Sequence, residues 1–273
     1  MVLSRYFIFF TIFFNFLARD CDLIKKDSIV VYWHDRHCKK YNILKDWVRD
    51  IAVLNARLFS PRVLRPISLC IPIYFAAREA DDNVNCVFYD KHKHKDLSNV
   101  PKCVTKFVSA SAAVAGFSFA AIQLFTSKPD LRLSSDIFSK GAFSIWLTKN
   151  LIKNTVHLKI CQRPKCGEFD PTCIYYGGFP SGHQAIATYL ASFFWMRHGP
   201  KWGVPLSLYA GAIFGAGLAG NRHYSSQLIG GAILGLAFTF SSKWIIKAKV
   251  CSHAYCTPKF DKNGVGMELS CSF

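Results

Sequence analysis

Acidic residues are scarce in this chain: 17 Asp and Glu stand against 34 Lys and Arg in 273 residues, which leaves a net charge of +17. An excess of that size calls for an anionic partner. Nucleic acid is a poor match, because no DNA- or RNA-binding motif and no basic helix face accompanies the charge. An anionic membrane surface is the better one. Charge of either sign is also thin, at 19% against 51% hydrophobic residues, a composition more apolar than that of a usual soluble protein. The length suffices for one substantial helical domain.

The hydrophobic runs give the organisation. Met1 to Ala18 carries Arg5, then an apolar stretch from Tyr6 onward, and Arg19-Asp20 come next. An apolar run of about 7 to 15 residues suits a secretory signal better than a spanning helix. Whether cleaved as a signal or kept as an anchor, it sends the chain into the export pathway. Residues 19–60 are polar, of mixed charge and without a motif that carries chemistry. Residues 61–78 are partly apolar, but Pro72 predicts a kinked or short helix there. A charged loop runs from Asp81 to Asp96.

Phe107 to Phe125 is rich in Ala, Ser and Gly, long enough to span a bilayer and small enough to pack tightly. Residues 135–158 predict an amphipathic helix, and the tail from Val250 shows no hydrophobic periodicity. The expected division is a signal or anchor (1–18), a polar and helical extension (19–100), a helical core (101–249) and a cysteine-containing tail (250–273). The expected fold class is all-α, a helical bundle embedded in or associated with a membrane.

Two histidines stand out within the core. His183 closes Phe179-Pro180-Ser181-Gly182-His183, and His223 lies in Asn221-Arg222-His223-Tyr224. Residues 184–198 are apolar all round, which suits a buried helix. Gly199, Pro200 and Gly203 break that run, and Val204 to Gly220 brings the chain back. At about 1.5 Å per residue each leg is roughly 20 to 28 Å long. Both imidazoles are therefore expected at one end of an antiparallel helix pair.

The same end has the makings of an anion site. Ser181 is a good N-cap residue, and Gly177-Gly178 release the backbone just before it. Free N–H groups at such a helix start attract anions. Gly182 adds no side chain to keep an anion off the backbone, and Arg163-Pro164 lies upstream with a guanidinium fork that fits phosphate.

These residues resemble the type 2 phosphatidic acid phosphatase superfamily, which also contains vanadium haloperoxidases and bacterial acid phosphatases. That family reads as a Lys followed by Arg-Pro, then Pro-Ser-Gly-His, then Ser-Arg, five residues, His and a following Asp. Here the middle motif is intact as Pro180-Ser181-Gly182-His183, and the third survives in outline from His223 to Gln227 ahead of Leu228-Ile229-Gly230-Gly231. The resemblance covers residues 100–247. It implies that His223 attacks phosphorus and carries a phosphohistidine while His183 protonates the leaving oxygen. It further implies that Lys153, Arg163, Ser181 and Gly182 hold the phosphoryl oxygens. No cofactor and no metal are implied. The implied substrate is a lipid phosphate such as phosphatidate, or another small phosphomonoester, with a weakened phosphate- or headgroup-binding protein and a vanadate-dependent haloperoxidase as the alternatives.

The chain departs from that pattern at several positions. The family's Lys would fall at Val156, so Lys153 is the implied counterpart if residues 158–162 carry an insertion, with Lys159 as the fallback. The third-motif Ser-Arg falls at Ala216 and Gly217, and the Asp that orients the nucleophile falls at Gln227. Gln227 can still accept a hydrogen bond but brings no negative charge. Arg222 is the nearest replacement for the lost Arg, although on a continuous helix it would point about 100° away from His223.

Three further features complete the reading. Gly215-Ala216-Gly217-Leu218-Ala219-Gly220 matches a dinucleotide fingerprint by letter, but no strand or βαβ unit surrounds it, so its small residues, with those of Gly231 to Gly235, read as close helix packing. Eleven cysteines are many. In an oxidising compartment Cys161, Cys166 and Cys173 would brace the loop before His183, and Cys251, Cys256 and Cys271 would tie down the tail; zinc at Cys251, His253 and Cys256 is the weaker alternative. Finally, Arg197, Lys201, Lys243, Lys247 and Lys249 lie at the end away from the histidines. By the positive-inside rule that end is cytoplasmic and the histidines face a periplasm or lumen.

Overall fold

The computed structural model describes residues 43–90, 92–93, 95–126, 128–155, 164, 178–251, 254–261 and 264–271. The N-terminal signal or anchor, Lys159, Arg163, Gly177, His253 and the cysteines at 161, 166 and 173 lie outside them. In chain order come α1 (Ile43–Arg57), α2 (Pro61–Ser68), α3 (Ile71–Glu79), α4 (Asp81–Asn85), β1 (Tyr89–Asp90) and β2 (Lys95–Asp96). After them come α5 (Lys102–Phe125), α6 (Pro129–Thr155), α7 (Gly182–His198), α8 (Pro200–Ala219), α9 (Ser225–Cys251), β3 (Ala254–Asp261) and β4 (Gly264–Cys271). The fold is all-α, with two small antiparallel hairpins among the described residues, β1 with β2 and β3 with β4.

Helix α7 is the axis of the bundle, with α5, α6, α8 and α9 packed around it. That position explains its sequence, since a helix with neighbours on every side can be apolar all round. Phe138 of α6 stacks on Tyr189 at 4.8 Å between ring centroids, with Phe193 edge-on to Phe138 at 5.6 Å. The buried Tyr189 hydroxyl is satisfied by Ser242 Oγ at 2.8 Å, which spares the core an unpaired polar group.

The hairpin break falls where the sequence places it, although the second leg starts earlier. Gly199 has φ 76°, a left-handed conformation that favours glycine, and α8 begins at once with Pro200 in its first turn. Gly203 does not interrupt the helix: a Cβ there would run into the Trp195 ring, so the glycine lets α8 close on α7. The small residues of α9 serve the same end. A Cβ at Gly231 would strike the Ser181 carbonyl and one at Gly235 the Ala185 carbonyl. Gly235→Val is expected to cost about 1 to 3 kcal/mol of stability, because backbone cannot yield as a flexible side chain can. Chemical denaturation of the detergent-solubilised protein measures it.

Among the described residues, three helices are long and apolar enough to cross a membrane, over Lys102–Ile122, Pro200–Ala219 and Ser225–Ile246. Phe107, Val114, Phe117 and Phe125 are exposed along α5 and have the character of lipid-facing residues.

The N-terminal segment holds more structure than its polarity suggests. Helix α1 occupies part of the stretch read as motif-free, and it docks by a narrow apolar edge: Leu54 is fully buried and Trp47 meets Phe143 at 5.0 Å. Asp50 interrupts that edge with a buried carboxylate, while Arg49 beside it is exposed. The Asp50 carboxylate is buried with a purpose, since Lys140 Nζ bridges Asp50 at 2.8 Å and Asp136 at 2.7 Å. Pro66 inside α2 and Pro72 in the first turn of α3 divide the next stretch into short helices, as Pro72 predicts. These run along α9 from Trp244, which Arg62 covers at 4.3 Å, to Ser225, which reaches the Ala77 carbonyl at 3.2 Å.

The tail differs from expectation. Residues 254–271 pair as a β-hairpin with Asp261 opposite Gly264. Its signal is an alternation of period two that helical periodicity does not register: Val265, Met267, Leu269 and Cys271 alternate with Gly266, Glu268 and Ser270.

Candidate active site

Tertiary packing brings the two histidine segments together at one end of the bundle. Ser181 is the N-cap of α7, with extended backbone at φ −69° and ψ 115°, and its carbonyl accepts the first helical bond from the Ala185 N–H at 3.0 Å. Its own N–H donates to the Gln227 carbonyl at 3.1 Å, which ties the start of α7 to the first turn of α9. A small cavity of about 200 Å³, including its open mouth, lies beside this junction. Ser109, Ser181, His183, Arg222 and His223 supply its polar lining, and Ile213, Gly217 and Leu228 its apolar lining.

The two imidazoles differ in setting. His223 is buried at 8% exposure, whereas His183, in the first turn of α7, is exposed. A buried ring suits a nucleophile that must be held, and an exposed one suits a proton donor that meets a leaving group arriving from solvent.

Ser181 supplies an observation that sequence did not foretell. Its position is that of an N-cap, yet its side chain makes no cap hydrogen bond. The Oγ is buried and has no hydrogen-bond partner among the described residues, in a side chain that lines the cavity. A buried hydroxyl left unsatisfied costs about 1 to 3 kcal/mol, which a ligand oxygen can recover.

Two cations near the site were missed or set aside by sequence reasoning. The first is Arg222. It lies in a turn and not on a continuous helix, because Asn221 has φ 50° and breaks the α8 geometry. The expectation that it points away from His223 is therefore overturned, and both residues line the same cavity. At Gly217, where the resemblance places an Arg, a Cβ would lie 2.8 Å from Leu228 Cδ2, so a side chain there would require Leu228 to shift. The second is Lys149. Its stem lies over Gly182, so that a Cβ there would sit 2.7 Å from Lys149 Cδ and 3.6 Å from Nζ. The Lys149 stem thus occupies the space beside Gly182 that a side chain there would take. Burial holds the Lys149 ammonium below the usual lysine range. Neither Lys149 nor Lys153, one turn further along α6, is among the residues that line the cavity; Lys149 reaches its edge over Gly182.

Gln227 has a defined structural task. Tyr224 precedes α9, and Gln227 Oε1 accepts the Tyr224 N–H at 3.2 Å, the reciprocal half of a capping box. The carboxamide also fills the space that a Cβ on Gly178 would need. Gly178→Ala is expected to push that carboxamide aside and lower turnover several-fold, read against an unchanged expression level. Among the described residues, no group of three His, Cys, Asp or Glu side chains is placed to hold a metal ion.

Residues 137–251 match the PAP2 superfamily. No curated protein and no solved structure gives a significant match. The matched stretch contains Pro180-Ser181-Gly182-His183, both histidines, Lys149 and Arg222, and it excludes α1 to α5.

Proposed function

We infer that this chain, whose residues 137–251 match the PAP2 superfamily, is a membrane-associated phosphatase acting on a phosphomonoester, with a lipid phosphate such as phosphatidate as the preferred substrate. The observation that carries this reading is the shared cavity of His183, His223, Arg222 and the unsatisfied Ser181 hydroxyl. The three membrane-length helices support a lipid substrate, because the cavity then opens at one end of the bundle where a headgroup can enter while the acyl chains stay outside.

In the proposed reaction a ring nitrogen of His223 attacks phosphorus, and the bond from phosphorus to the ester oxygen breaks. His183 gives its proton to the departing oxygen. Water then attacks the phosphohistidine with His183 as base, releasing inorganic phosphate and restoring both imidazoles. Arg222, Lys149, the Ser181 hydroxyl and the N–H groups at the start of α7 stabilise the charge on the phosphoryl oxygens. Lys153 and Arg163 are carried as further phosphate ligands from the motif resemblance. The far end of the bundle carries Arg197, Lys201 and the Arg57 and Arg62 pair over Trp244, which supports a cytoplasmic far end and a catalytic face toward a periplasm or lumen.

A second reading, a phosphate- or headgroup-binding member with weakened turnover, is favoured by Gln227, whose neutral amide stands where the family has Asp. Turnover of phosphatidate, diacylglycerol pyrophosphate and a soluble phosphomonoester, compared with His223→Ala, decides between the two. Wild-type rates equal to the variant on every substrate would sink the enzyme reading. Arg222→Ala is expected to lower kcat/KM by about 10²-fold and Lys149→Met by about tenfold, as loss of charge stabilisation at the phosphoryl oxygens predicts.

A further inference from the structure

The turn that carries Arg222 and His223 is gripped on both flanks by residues outside the family-matched stretch. On its N-terminal flank Asn221 Nδ2 donates to the Phe88 carbonyl at 3.1 Å and to Asp96 Oδ1 at 2.8 Å. On its C-terminal flank Asp81 Oδ1 accepts the Ser226 N–H at 2.9 Å and the Ser225 hydroxyl at 2.7 Å, and Asp81 Oδ2 accepts the Ser226 hydroxyl. The contacts made by Asp96 and Asp81 join residues 125 to 145 positions apart. Asp81 begins α4 and Asp96 ends β2, so two separate elements converge on one short turn.

The chemistry of each grip fits holding rather than solvation. Asp81 meets the N-terminus of α9, where a carboxylate is favoured by the helix dipole and by charge-assisted bonds. Asp96 and the Phe88 carbonyl hold Asn221 in its left-handed conformation, and Asn221 is 2% exposed. Without that hold the turn could relax into a continuation of α8, which would swing Arg222 away from the cavity. Lys102 keeps Asp96 in place with an ion pair at 3.0 Å.

We propose that Asp81 and Asp96 are positioning residues for the reaction: with the Ala77 and Phe88 carbonyls they clamp the turn so that Arg222 and His223 face Ser181 across the cavity. The proposal rests on the phosphatase reading for its effect on rate, and it makes the N-terminal extension part of the site. Misplacement of a reacting group by about 1 Å can cost about 10²-fold in rate, so a clamp acts on kcat more than on substrate affinity.

The test uses the full chain in detergent or nanodiscs with Asp81→Asn, Asp96→Asn, Ser226→Ala and the Asp81→Asn/Ser226→Ala double variant. The expected result is a fall in kcat of about tenfold for Asp81→Asn and for Asp96→Asn with KM changed less than about twofold. The double variant should be slowed by less than the two single effects combined, since the Ser226 hydroxyl acts through its bond to Asp81. Carbethoxylation of His223, followed by peptide mass spectrometry, should quicken in both Asp variants while that of His198 at the far end does not. Unchanged kcat and unchanged His223 labelling in variants that only melt earlier would overturn the proposal and leave the carboxylates as plain helix caps. Should wild type turn over no substrate faster than His223→Ala, the phosphatase reading falls. The labelling rates then still decide whether the clamp holds the turn.

Discussion

Replacing His223 by alanine is expected to lower kcat on phosphatidate by about 10⁴-fold or more, the order seen when a covalent nucleophile is removed from an otherwise intact site. His223 lies in a turn outside the helices, so the fold should survive its truncation, and an unchanged melting transition checks this. His183→Ala separates the two roles. A missing proton donor matters in proportion to the basicity of the leaving oxygen, so this variant should lose about 10²- to 10⁴-fold on an alkyl phosphate. On a nitrophenyl phosphate, whose phenolate departs without protonation, it should lose little. His223→Ala should be equally inactive on both. A pattern in which both variants respond alike to the leaving group would contradict the assignment of nucleophile and acid.

Lys140→Met is expected to lower stability by about 3 to 5 kcal/mol, the cost of removing one partner from a buried ion group. The side chains of Lys140 and Asp50 are 5% and 8% exposed, and Asp136 shares the ammonium from one turn away. Without Lys140 two carboxylates face one another with little water between them. The geometry is close, at 2.8 and 2.7 Å, and it joins α1 to α6, so the loss should release the N-terminal helix from the bundle. The apparent melting temperature in detergent should fall by about 10 °C or more for a chain of this size. The triple change Lys140→Met, Asp50→Leu and Asp136→Leu should recover much of it, because an apolar replacement of the whole group avoids the unpaired charges. Lys140 lies more than two turns of α6 from Lys149, so turnover measured well below the transition should remain.

Much of the fold was legible because its rules are local. The all-apolar run from 184 to 198 announced a buried helix, Gly199-Pro200 announced its end, and Pro72 announced short helices in the extension. Those signals act within a few residues and need no partner to be read. Gly203 misled because its role is contact with Trp195, which a backbone-breaking reading does not see. Helix α1 was missed because burial of Asp50 against Lys140 inverts the usual meaning of a charged residue on a helix face. The hairpin at 254–271 was missed because its pattern has a period of two, which a reading for helical periodicity does not register.

The candidate site divides along the same line. Sequence alone determined that His183 and His223 lie at one end of a helical hairpin, that Ser181 starts a helix there, and that residues 100–247 resemble a phosphate-processing family. Each comes from spacing along the chain, where helix rise and helix-breaking residues set geometry directly. Only tertiary structure decided that Lys149 covers Gly182, that Arg222 turns into the cavity through the left-handed Asn221, and that Asp81 and Asp96 hold the turn between them. Such contacts cross well over a hundred residues at the turn and depend on which helix faces which. A hydrogen bond between distant residues leaves no period in the sequence, because its energy is realised only once the packing of the intervening helices has brought the two groups within reach.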